Sequence, residues 1–151
     1  MEITDRQRRR VDEAFVARVA EEARRLVGGE LDELSVVLLD DEGIEQLNRQ
    51  LLGREGTTDV IAFEAEEDPD ARRAEIYINT DAAARQGPEY GHDATWELGF
   101  LVAHGVLHAL GFSDASEAER QRMFELQQRV MNTLLPGEKS ERRAGSSEGA
   151  P

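Results

Sequence analysis

"TTDVIAFEAEEDPDARRAEIYINT", running from Thr57 to Thr80, is the stretch that decides the architecture. Thr57 to Ala65 is rich in β-branched and apolar residues and reads as a strand. Glu66 to Arg73 is polar, contains Pro69 and reads as a loop. Ala74 to Thr80 alternates apolar and polar side chains, as a half-buried strand does. The connection is too short to hold a crossover helix, which takes about a dozen residues. With helical patterns on both sides, the class expected is α+β, a small mixed β-sheet packed against several helices.

Working outward, "ELSVVLLDD" (Glu33 to Asp41) is a short apolar run bounded by acidic residues and reads as another strand. "DEGIEQLNRQLLG" reads as a short helix closed by Gly53. Nearer the N-terminus, Thr4 to Gln7 fits a capping box. Val11, Ala14, Phe15, Val19, Ala23 and Leu26 continue it as a helical stripe, ended at "VGGE". Beyond Thr80, Asp81 to Gln86 is expected to be helical and Gly87 to Thr95 a loop. A buried helix should run from about Trp96 to Leu110. Ser116 and Glu119 form a second capping box, opening a last helix striped by Met123, Leu126, Val130, Met131 and Leu134. Residues 1–135 are expected to form one domain, and 136–151, with no apolar content to bury, a disordered tail.

The 151 residues suit one ordinary domain, and 39% hydrophobic residues suffice for one core. No apolar run reaches the roughly 18 residues of a membrane span, and no apolar segment follows the basic N-terminal residues as a signal peptide requires. A cytoplasmic location is expected. Without cysteine there is no disulfide, thiolate nucleophile or sulfur-bound zinc, so a metal would be held by His and carboxylate. The net charge is −14, with 32 acidic against 18 basic residues, and Lys139 is the one lysine. Such a surface argues against nonspecific nucleic-acid binding; a nucleic-acid partner would have to meet a local basic patch.

"HGVLHALGFSD", His104 to Asp114, carries the chemistry. Residues four apart share a helix face, so His104 and His108 can aim imidazole nitrogens at one point. Gly111 breaks the helix and lets the chain turn back, which brings Asp114 within reach. Two imidazoles and a carboxylate make a three-ligand site with a position left for water, the pattern of catalytic zinc. Spacing alone leaves another reading open, in which both histidines are core residues paired with carboxylates such as Glu97 or Asp93.

With "LNRQLLGREGTTDVIAF" and "AEIYIN" upstream in matching order, this stretch resembles the YbeY family. The family's pattern is His-Gly-x-Leu-His-Leu-x-Gly-Tyr-Asp-His followed by a helix carrying a Met. His104, Gly105, Leu107, His108, Gly111 and Met123 match it, as do Leu47, Asn48, Thr58, Asp59, Val60 and Phe63 in the upstream block. The resemblance covers roughly residues 30 to 135. It implies a single-strand-specific, metal-dependent endoribonuclease of 16S rRNA 3'-end maturation and ribosome quality control. One Zn2+, or another divalent metal in its place, would be held by His104, His108 and Asp114 at the end of the buried central helix. The partners implied are ribosomal RNA and ribosomal or assembly proteins, with neither DNA nor a membrane.

Five positions depart from the family, two of them Ala109 for its leucine and Ser113 for its aspartate. Asp114 stands where its third metal histidine falls, and Phe112 replaces the tyrosine. The family's arginine in the "LN" block falls on Leu52, leaving Arg54 as the candidate phosphate contact. Phe63, Tyr77 and Tyr90 are the aromatics available for stacking on bases. The residue after His104 is Gly105, which has no carboxylate, and this argues against a zinc peptidase of the His-Glu-x-x-His type. The alternative that survives is a non-catalytic ribosome-assembly protein with a structural metal.

Overall fold

The computed structural model describes residues 1–63, 66–67 and 71–137. In chain order the elements are β1 (Glu2–Asp5), α1 (Glu13–Val27), β2 (Glu33–Leu39), α2 (Asp41–Leu52) and β3 (Val60–Ala62). They continue with β4 (Glu66–Glu67), β5 (Arg72–Asn79), α3 (Thr80–Glu89), α4 (Ala94–Ala109) and α5 (Glu117–Leu134). The fold is α+β, as expected. The sheet runs β1-β2-β5-β3, with β4 also on β5. β1 and β5 flank β2 in parallel, while β3 and β4 lie antiparallel to β5 and make the sheet mixed.

Alternation along β2 sorts its side chains to the two faces. Leu34, Val36 and Leu38 join Ile76 and Ile78 of β5 in the main core, packed against Phe15 and Val19 of α1 and against α4. Val37 and Leu39 point the other way, where Ile44 of α2 and Ile61 of β3 close a smaller cluster. α4 is apolar on most of its surface because most of it is enclosed: Trp96 through Leu107 and Ala109 are buried, Glu97 and His104 among them. A Cβ on Gly105 would sit 3.1 Å from Ile76 Cδ1 and 3.3 Å from Val60 Cγ1, so the missing side chain lets α4 lie close on the sheet. No helix among the described residues is long and apolar enough to cross a membrane.

The N-terminal capping box is corrected. Thr4 lies in β1, opposite Val37 of β2, and α1 starts instead at Asp12, whose carboxylate accepts the Phe15 N–H at 3.0 Å. Thr4–Gln7 matched the cap pattern locally, but residues 2–5 found backbone partners on β2 and a place for Ile3 against the core. Glu66–Arg73 is likewise not all loop, since Glu66 and Glu67 pair with Arg73 and Arg72. Of the strand expected over Thr57 to Ala65, the described residues form Val60–Ala62, and 64 and 65 lie outside the described residues. α3 extends through Gly87 and Pro88, where loop was expected, and only Tyr90 to Asp93 separate it from α4. The helix ends one residue after Pro88, at Glu89. Most of the tail, residues 138–151, lies outside the described residues.

Candidate metal centre

α4 begins at an Asp93 cap, whose carboxylate accepts the Trp96 N–H at 2.8 Å. Asp93 is thereby committed to the helix start and is not the partner of either histidine. At the other end the helix closes through Gly111, with φ of 98°. The Phe112 N–H bonds Leu107 O at 3.0 Å and the Gly111 N–H bonds His108 O at 3.0 Å, the paired bonds of a Schellman motif. Phe112 packs against Leu107, Met123 and Leu126, which anchors the reversed chain. The reversal delivers Asp114 to the two histidines.

His104 Nε2 lies 3.7 Å from Asp114 Oδ2, and His108 Nε2 lies 3.4 Å from Asp114 Oδ1. The rings sit with centroids 5.2 Å apart and planes inclined at 61°, and the potential ligand atoms all fall within 4.8 Å of one another. These separations are longer than the about 2.7–2.9 Å of a charge-assisted hydrogen bond. They are near the about 3.4 Å that separates neighbouring ligands in a tetrahedron around zinc. His108 Nε2 is shielded from solvent, and no hydrogen bond among the described residues reaches it. A buried imidazole nitrogen left in that state costs free energy unless something binds it. The three residues thus form a group that could hold a metal ion.

The group opens on one side. His104 is 5% exposed and forms the floor. His108 is half-buried, and Asp114, with 29% of its side chain exposed, stands at the mouth. Behind the floor, His104 Nδ1 meets Gln127 Oε1 of α5 at 3.3 Å, and Gln127 Nε2 donates to Phe100 O at 3.1 Å. Beside the mouth, Arg120 on the first turns of α5 places Nη1 3.5 Å from Asp114 O. Sequence reasoning missed both. Gln127 sits within the apolar stripe of α5, buried between Leu126 and Val130, and that placement was the available signal.

Other candidates lie apart. Arg54 is exposed in the turn after α2, outside the His104–His108–Asp114 group, with Leu52 in the last turn of that helix. Tyr77 packs against the Val37–Ile44 cluster, while Phe63 is 44% exposed and lines an open cleft with Leu51 and Met1. Tyr90 caps α3, its N–H donating to Gly87 O at 3.0 Å. Gly105 faces the sheet, so a glutamate there would point into Ile76 and Val60.

The profile of the Endoribonuclease YbeY family matches residues 2–135. Endoribonuclease YbeY of Pelotomaculum thermopropionicum is 37% identical over 135 residues, covering 82% of this chain and 89% of that protein. The Bacillus licheniformis protein of the same name is 37% identical over 111 residues, covering 66% and 70%. That of Staphylococcus aureus is 40% identical over 110 residues, covering 66% and 71%. Among solved structures, the solution structure of TM1509 from Thermotoga maritima is similar in fold, with a TM-score of 0.61 at 23% identity. It is matched over its full length by 92% of this chain. On the family match and these identities, the chain belongs to the YbeY endoribonuclease family.

Proposed function

We propose that this chain is a cytoplasmic, single-strand-specific endoribonuclease acting in 16S rRNA 3'-end maturation and ribosome quality control. One zinc would be held by His104, His108 and Asp114. The observation that carries the metal is the convergence of two imidazole nitrogens and a carboxylate at 3.4 and 3.7 Å, with His108 Nε2 buried and otherwise unbonded. Family membership supplies the RNA substrate.

A divalent metal held there supplies polarisation of a phosphoryl oxygen and acidification of a water for phosphodiester hydrolysis. The rest falls to the chain. His104 and the walls of α4 keep the floor dry, which strengthens every electrostatic contact made there. Asp114, with 29% of its side chain exposed, marks the side on which the group is reached from solvent. Because the chain is strongly acidic, RNA needs a local cation, and Arg120 stands beside the mouth. Partners on the ribosome, RNA and protein, would meet this face.

A second reading, a ribosome-assembly protein with a structural metal, is favoured by one observation: Leu52 occupies the position of the family's arginine. One experiment separates the two: metal analysis and cleavage of ribosomal RNA precursors by the wild type, His108→Ala and Asp114→Ala. The wild type should carry about one zinc per chain and cleave single-stranded segments. The variants should lose both while keeping their circular dichroism. Stoichiometric metal in both variants would refute the three-ligand site. A zinc-loaded wild type that co-sediments with small subunits yet leaves RNA intact would establish the assembly reading instead.

A further inference from the structure

We infer that Gln127 is the positioning residue of the centre, holding His104 in the tautomer that carries its proton on Nδ1 and presents a bare Nε2 to the metal. The inference rests on the metal reading for its purpose, but its geometry stands without it. Gln127 is 3% exposed, so water does not compete for its carboxamide. One end of that carboxamide lies 3.1 Å from Phe100 O, on α4 one turn before His104. A backbone carbonyl can only accept, so the group facing it is the NH2, and a flipped amide would set oxygen against oxygen. The other end is therefore the carbonyl oxygen, and it lies 3.3 Å from His104 Nδ1. That oxygen also can only accept, so the proton of the neutral imidazole sits on Nδ1. Nε2, which faces Asp114, is left with its lone pair turned to the centre.

Free histidine prefers its proton on Nε2, the atom a metal would need here. Gln127 reverses that preference before any ligand arrives and fixes the ring plane by gripping α4 at Phe100. Metal-bound histidines commonly donate their second N–H to an oxygen acceptor that is often a carboxylate. Here the acceptor is neutral, so the ring is oriented without a second buried negative charge behind a centre that already holds Asp114.

The test uses the full chain and three variants. Gln127→Met keeps length and apolar volume but removes the acceptor, Gln127→Glu restores an acceptor, and His104→Ala removes the ligand. In zinc-free protein at mildly alkaline pH, long-range proton–nitrogen NMR should show the wild-type His104 with a protonated Nδ1 and a bare Nε2. Gln127→Met should shift the population toward Nε2–H and weaken zinc binding by about 10- to 100-fold. Gln127→Glu loses the donor to Phe100 O and should melt lower, yet it should keep the wild-type tautomer through the oxygen it retains at His104 Nδ1. A purely structural role would lower the melting temperature of Gln127→Met and leave the tautomer alone. Nε2–H in the wild type, or a wild-type tautomer and zinc affinity in Gln127→Met, would overturn the inference. If instead His104→Ala binds zinc like the wild type, the metal reading fails, while the NMR result still judges Gln127.

Discussion

Gly87→Ala tests whether the α3–α4 corner is set by backbone contact. A Cβ on Gly87 would stand 2.6 Å from Asp93 O, 3.0 Å from the Asp93 carbonyl carbon and 3.1 Å from His92 O. Those atoms are backbone, with no flexible side chain to swing aside, so the corner itself must move. It is also tied to the same residue, because Gly87 O accepts the N–H groups of Tyr90 at 3.0 Å and His92 at 2.9 Å. Overpacking of this kind costs about 1–3 kcal/mol. Displacing Asp93 weakens the cap on Trp96 N–H, worth about 1 kcal/mol. Replacing a helical glycine by alanine returns about 1 kcal/mol. The net is a loss of about 2 kcal/mol, a fall of roughly 4–8 °C in melting temperature for a domain of this size. Thermal unfolding of Gly87→Ala, Asp93→Ala and the double variant measures it. The double variant should lose less than the two singles together, because the first change has already disturbed the cap. Zinc content should be unchanged, since His104 and His108 sit at the far end of α4. An unchanged or raised melting temperature in Gly87→Ala would refute the reasoning.

Acid should expose another corner. The Arg85 guanidinium, bonded to Asp41 at 2.6 and 3.0 Å, and then Asn79 hold the Asp41 carboxyl below its ordinary range. The Asp41 backbone N–H and then Arg9 do the same for Asp81. Folded pKa values below the unfolded value of about 3.9 mean that this stabilisation is complete above that pH and is lost as pH falls through the folded values. Arg85→Ala should cost about 0.5–1 kcal/mol at neutral pH, small because the pair is half-exposed, and the gap to wild type should close below about pH 4. A gap that stays constant on acidification would contradict this. For RNA, the slope of log affinity against log salt becomes shallower by about 0.7 for each single-strand phosphate that the protein no longer neutralises. Arg120→Ala should show that change on a single-stranded oligonucleotide, and Arg54→Ala should not. The reverse result would assign the phosphate to Arg54.

The features legible in sequence are those whose physics is local. The Ser116 cap is read correctly because a side chain three residues from its amide needs no other part of the fold. Gly53 and Gly111 are read correctly because left-handed backbone excludes most other residues. His104, His108 and Asp114 come together through one helix turn and one reversal, so their spacing carries the information. β1 is not legible, because its strand character comes from pairing with β2 some thirty residues away and "EITD" has one apolar residue to announce it. Gln127 and Arg120 fail for the same reason. A buried glutamine in a helical stripe looks like a flaw in the pattern until α4 is laid against it, and an exposed arginine looks solvated until Asp114 is beside it.

The grip of Gln127 on α4 also sets a timetable. The chain is made from its N-terminus, and both histidines are complete well before the residue that orients the first of them. α4 must also wait for α5 to bring Val130 and Met131 to the core it shares. A nascent chain that has delivered His104, His108 and Asp114 thus holds the three candidate ligands without the contact from Gln127. The contact between Gln127 and His104 can form only when nearly the whole domain has left the ribosome. On the proposed reading, a protein that cuts RNA and is born on RNA would gain its aligned centre late in its own synthesis.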